Sequence, residues 1–160
     1  MKANRTRRNS GQRGLTLIEL IVASAILTIL STMALPLARV QLRREQEKEL
    51  RIALREIRTA IDRFKDSSDK GFIQKELDSE GYPKDLDVLV EGVPMVNSPD
   101  GKKLRFLRRI PRDPMTNSTE WGKRSLQDEP DSASWGGKNV FDVHTTSPGT
   151  GLDGTPYSEW

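Results

Sequence analysis

From Leu20 to Ala38 the chain runs for 19 residues without a charge, and no other feature restricts its folding so severely. A helix of that length spans roughly 28 Å, close to the ~30 Å hydrocarbon thickness of a bilayer. Immediately before the run stands Glu19. An ionisable group at such a place is costly in lipid and as a rule has a function. The leader, residues 1–14, carries Lys2, Arg5, Arg7, Arg8 and Arg13 and no acid. That bias places the N-terminal end in the cytoplasm and the remainder outside. Arg39, Arg43 and Arg44 on the far side pull the other way, although Glu45, Glu47 and Glu49 lie among them.

Charge narrows the partners. The chain has 26 basic and 23 acidic residues, net +3. Without the leader cations the acids outnumber the bases, so no basic patch is evident on the folded part and nucleic acid is not an expected partner. After the leader there is length for one modest domain. The absence of cysteine excludes disulfides, a lipoprotein anchor and thiolate metal sites, and leaves the redox compartment open.

Several readings of the apolar run compete. A secretory signal peptide would use Thr32-Met33-Ala34 as its small-residue cleavage site and leave a mature N-terminus at Leu35. Against it, Glu19 interrupts the apolar region, which is also longer than that class uses. Arg7-Arg8 as a twin-arginine export signal is weak in so arginine-rich a leader. A plain uncleaved anchor needs only that Glu19 snorkel to the interface. The sharper reading joins glycine and glutamate. A cut after Gly14 makes Leu15 the new N-terminus, with an α-amine charged at neutral pH, and so is Glu19. Each charge is expensive in lipid, and a pair largely neutralises itself. Glu19 sits about 6 Å along the axis from Leu15, so its carboxylate reaches equally toward the amine of an axially displaced neighbour.

The segment Gly14-Leu15-Thr16-Leu17-Ile18-Glu19-Leu20 resembles the class III signal of type IV prepilins and of the pseudopilins of type II secretion. The resemblance implies that a membrane prepilin peptidase cleaves after Gly14 and N-methylates Leu15, where the family usually has Phe. Glu19 matches the family's assembly glutamate and Pro36 its helix-kinking proline. A proline within a helix also removes a backbone N–H and crowds the carbonyl four residues back, here that of Thr32. In the family this region can melt on packing, which would extend Thr28 to Pro36.

Beyond Val40 the composition becomes highly charged while the helical period persists. Leu50, Ala53, Leu54, Ile57, Ala60, Ile61 and Phe64 form an apolar stripe. Glu47 to Arg51 and Arg58 to Asp62 offer i,i+4 pairs on the outer face. The cluster Arg43 to Glu49 has no apolar face and reads as solvated. One helix is expected from Leu15 to Lys65, apolar and transmembrane over 15–38, then amphipathic. It is followed by a globular head over 66–160, which the topology places in the periplasm. Ser67 to Gly71 ends the helix. A short helix over Tyr82 to Gly92 has Pro83 in its first turn and Leu86, Leu89 and Val90 inward. Residues 93–102 read as loop. Leu104–Arg108, Glu120–Leu126 and Asn139–Thr145 are strand candidates. The expected fold class is α+β, a long N-terminal helix packed on a small antiparallel C-terminal sheet.

The head resembles the major pseudopilin branch at Tyr82-Pro83-x-x-Leu86, at Arg109-Ile110-Pro111-Arg112-Asp113-Pro114 and at Val140-Phe141-Asp142-Val143. That branch commonly binds calcium in its C-terminal loop. Here Ser147 to Pro156 holds one carboxylate, Asp153, against the six to eight oxygens calcium takes. Even with Asp142, hydroxyls and carbonyls contributing, a structural turn is the favoured role, and the metal ligands stay unknown. His144, the lone histidine, is expected to face solvent. Trp121, Trp135 and Trp160 read as packing or subunit contacts. No nucleophile elbow, phosphate loop or histidine-metal spacing is present, so enzymatic activity is not expected. The resemblance implies a homopolymer anchored in membrane lipid of the bacterial inner membrane. It also implies the prepilin peptidase, minor pseudopilins, an inner-membrane assembly platform and its ATPase as partners. A type IV pilin for adhesion, motility or DNA uptake, or a membrane-anchored periplasmic binding module, are the alternatives.

Overall fold

Periodic sequence dominates the architecture. The computed structural model describes Gly14 and residues 16–96, 98, 101–132 and 134–160, with backbone alone at 33–37. Helix α1, Leu17–Asp69, is its longest element. It extends one turn past the expected Lys65. The turn closes because Gly71 adopts φ +73, letting its N–H reach Ser68 O while Phe72 N–H reaches Ser67 O, a Schellman ending. The chain divides into two compact units, Met1–Gln41 and Leu42–Trp160.

In the first unit α1 exposes apolar side chains around its circumference: Leu17, Ile18, Ile21, Val22, Ile26, Leu27, Ile29 and Leu30. Three of its hydroxyls bond back to the helix. Ser24 Oγ donates to Leu20 O, Thr28 Oγ1 to Ser24 O and Thr32 Oγ1 to Ile29 O, at 2.7–2.8 Å. The helix continues through Pro36, whose side chain lies outside the described residues. Among the described residues no helix is long and apolar enough to cross a membrane. The uncharged run of the sequence takes in 33–37, where side chains are not described.

The second unit has a single core. Every member of the expected stripe, Leu50 through Phe64, is buried there with Ile73, Leu86, Leu89, Leu107, Trp121, Val140, Val143 and Tyr157. Full burial of a Leu or Ile is worth roughly 1.5–3 kcal/mol, so the stripe supplies much of the stability. Helix α2 is Asp87–Glu91, later than expected. Pro83 precedes it, buried, and its carbonyl accepts the Val140 N–H at 2.7 Å. Gly92 ends α2 with φ +79. Any Cβ there would lie 2.8 Å from Leu104 O.

The sheet expectation is corrected. The α+β class holds, but among the described residues two separate two-stranded antiparallel sheets replace one of three strands: β1 (Val93–Pro94) with β2 (Lys103–Leu104), and β3 (Gly122–Arg124) with β4 (Asp142–His144). β1 falls in the stretch read as loop. β2 stops at Leu104 because the Phe106 and Leu107 N–H groups both turn to Leu89 O, docking the segment on α2 instead of a strand. The Arg109–Pro114 segment leads into a turn closed on Asp113. Its carboxylate is buried and accepts from Met115 N, Thr116 Oγ1 and Thr145 Oγ1, while Asp113 N–H donates to Ser118 O.

Candidate functional site

The N-terminal site is built by a reciprocal cap. Glu19 Oε2 accepts from Thr16 N and Thr16 Oγ1, both at 2.8 Å, and Glu19 N–H returns a bond of 3.3 Å to Thr16 Oγ1. This is a capping box, which satisfies backbone donors at a helix start. The carboxylate also sits where the helix dipole favours an anion. Gly14 is exposed and precedes the helix. Leu15, the expected methylated residue, lies outside the described residues. The local signal for the role of Thr16 is the pattern Thr16-x-x-Glu19. What the arrangement offers chemically is a carboxylate at the foot of a helix whose apolar surface, among the described residues of its unit, has no cover.

Charged residues of α1 in the second unit behave in the opposite way. Arg43, Glu47, Arg51 and Arg58 turn onto the C-terminal segment, which corrects the i,i+4 pairs and takes Arg43 and Glu47 out of the expected solvated cluster, while Arg44, Lys48 and Glu49 stay exposed. Arg43 donates to Tyr157 Oη at 3.1 Å and Thr150 O at 2.8 Å. Glu47 Oε1 accepts from Leu152 N and from Tyr157 Oη. Arg51 reaches Asp153 at 3.4 Å and lies over the Trp160 ring. Arg58 grips Asp142 at 2.6 and 3.2 Å and also donates to the Val143 and Trp160 carbonyls. Arg124 approaches Asp142 from the far side at 3.9 Å and donates to Ser158 O. No local signal could have found the pairs made by α1, whose members stand 84 to 114 positions apart.

The same contacts test calcium. Asp142 is held between two guanidiniums. Asp153 accepts from Thr155 N and Oγ1 and faces Arg51. The Thr155 hydroxyl, then its amide, hold the Asp153 carboxyl below its usual range. Cationic partners on both carboxylates repel a divalent ion, and among the described residues no group of three ligating side chains gathers. The residues do not fit calcium.

His144 is another correction. It is only 7 % exposed, because its register partner across the ladder is Gly122. A Cβ at that position would come within 2.3 Å of His144 Nε2, so the missing side chain is the imidazole's seat. Its Nδ1 is buried without a hydrogen-bond partner. Burial, then Arg124, pushes its pKa below the ordinary 6.5. Among the tryptophans, Trp121 is in the core and donates to Pro111 O. Trp135 packs under Lys123, and Trp160 edges against Tyr157.

Comparison with known families finds the Prokaryotic N-terminal methylation motif at residues 9–35. The chain thus carries a type IV prepilin-like N-terminal methylation motif, over less than half of its length. The matched stretch includes Gly14, Leu15 and Glu19 and ends one residue short of Pro36. No curated protein and no solved structure matches the chain.

Proposed function

We propose that this protein is a structural subunit of a periplasmic pseudopilus that helps drive protein export through a type II secretion system. The reading is carried by Glu19, five residues past the motif glycine, at the foot of a helix with uncovered apolar sides. In this reading the precursor is a single-pass inner-membrane protein, with residues 15–38 in lipid and the head in the periplasm. Cleavage after Gly14 frees the Leu15 amine, which is then methylated. Apolar helices leave lipid to pack on one another, and the Glu19 carboxylate neutralises an amine in the forming core. Pro36 loosens the helix for packing. The work is mechanical: the growing fibre pushes exported protein outward. Minor pseudopilins, the assembly platform and its ATPase would be the partners.

The test starts with the intact mass and N-terminal sequence of protein extracted from membranes. A mature chain beginning at methylated Leu15, short filaments by electron microscopy, and loss of secretion without the protein are the expected results. A chain recovered intact from Met1, or beginning at Leu35, would overturn the reading. Long surface fibres with secretion intact would instead assign a type IV pilin.

A further inference from the structure

The outward face of α1 in the second unit is segregated by charge. Residues 44, 48, 51, 55, 59, 62, 66 and 69 recur at steps of three or four, which aligns them on one helix face, and all are exposed. In order they are Arg, Lys, Arg, Arg, Thr, Asp, Asp, Asp. The order of charges along the chain does not reveal a basic patch. The helix makes one by stacking its cations, and sets an acidic patch beyond it. Like charges at these spacings destabilise an isolated helix, so the chain's own stability does not explain the pattern. Nor are the charges consumed internally. Among the described residues Arg44, Lys48, Arg55 and Asp62 have no ion pair. Asp66 and Asp69 meet Lys70 and Lys65 on the same helix, and Arg51 meets Asp153.

Eighteen residues are five helical turns, and a shift of that length maps 44 onto 62, 48 onto 66 and 51 onto 69. We infer that this stripe docks a second copy of the chain, parallel and displaced by about 27 Å along the helix axis. Arg44, Lys48 and Arg51 of one copy then face Asp62, Asp66 and Asp69 of the next. The inference rests on the filament reading, in which all subunits point the same way. An antiparallel pairing would match charges too, but joins 44 to 69 and 51 to 62. A nucleic acid would meet the cationic half and be repelled by the aspartates two turns further along. Since the contact is exposed and ionic, it sets register and is weakened by salt.

The chain has no native cysteine, so introduced ones report cleanly. In full-length protein assembled in membranes, Arg44→Cys with Asp62→Cys should give a ladder with a short bis-maleimide, and Arg44→Cys with Asp69→Cys should not. Arg44→Asp should raise the subunit level needed for filaments about two- to fivefold, and Arg44→Asp combined with Asp62→Arg should restore it. The inference fails if wild-type filaments form while the reversal is silent and no 44–62 ladder appears. It also fails if the 44–69 pair cross-links instead, or if the stripe retains a single-stranded oligonucleotide that Arg44→Asp releases. Absence of wild-type filaments under conditions that also leave Glu19→Val unchanged would defeat the filament reading itself.

Discussion

The two units of this chain treat their surfaces in opposite ways. Before Gln41 apolar side chains stand exposed, Leu17 at 78 %, and the one carboxylate of that helical start turns inward on its own first turn. After Leu42 the apolar stripe is buried, and long charged side chains reach back to fasten the C-terminal segment. Exposed oil is a debt that only lipid or sister chains discharge, whereas the second unit satisfies most of its groups internally. In the proposed filament the first region answers to assembly, whereas the second holds its own core and C-terminal segment.

Substitutions should separate them, beginning with the largest effect. Glu19→Val should abolish filaments and leave the thermal unfolding of the head unchanged. A parallel drop in melting temperature would show that the two regions are not independent. Ile57→Ala removes a side chain with no solvent exposure and should cost about 2–5 kcal/mol in denaturant unfolding, with cleavage after Gly14 unaffected by mass. Asp142→Ala strips Arg58 and Arg124 of a shared partner and should cost about 1–3 kcal/mol, with faster proteolysis in 147–160.

Acid should act more gently. The folded state lowers the His144 pKa, first by burial, so the unfolded chain takes up a proton that the native one refuses. This contribution to stability is full above pH ~6.5 and is lost as pH falls through that value toward the lower native pKa. One proton limits the slope to about 1.4 kcal/mol per pH unit. His144→Gln should flatten the curve, and a variant that keeps the slope would assign it elsewhere. The smallest effect is an expected zero. Adding calcium or a chelator should leave the melting temperature unmoved, and a rise with calcium would mean the arginines around Asp142 and Asp153 yield to a metal.

Much was legible where interactions are local. The stripe from Leu50 to Phe64 repeats with the helix, and every member is buried. Gly71 and Gly92 stop helices by positive φ, a choice few other residues make. The head was harder. Its strands are two or three residues long, too short for alternation to register, and β1 begins directly after Gly92 inside a stretch rich in turn formers. His144 looked like an outward position because alternation cannot know that a glycine lies across the ladder.

What the sequence alone determined is the long helix, its apolar beginning, the carboxylate at its foot and the face of its second half that becomes core. Each follows from spacing along one chain, since helical geometry fixes which residues are neighbours. Only the tertiary structure decided that Arg43 and Arg58 serve Tyr157 and Asp142, that the loop's one carboxylate meets Arg51, and that His144 is buried. Those pairings join residues 84 to 114 positions apart, and the path of the chain between them is set by packing, which no local pattern records.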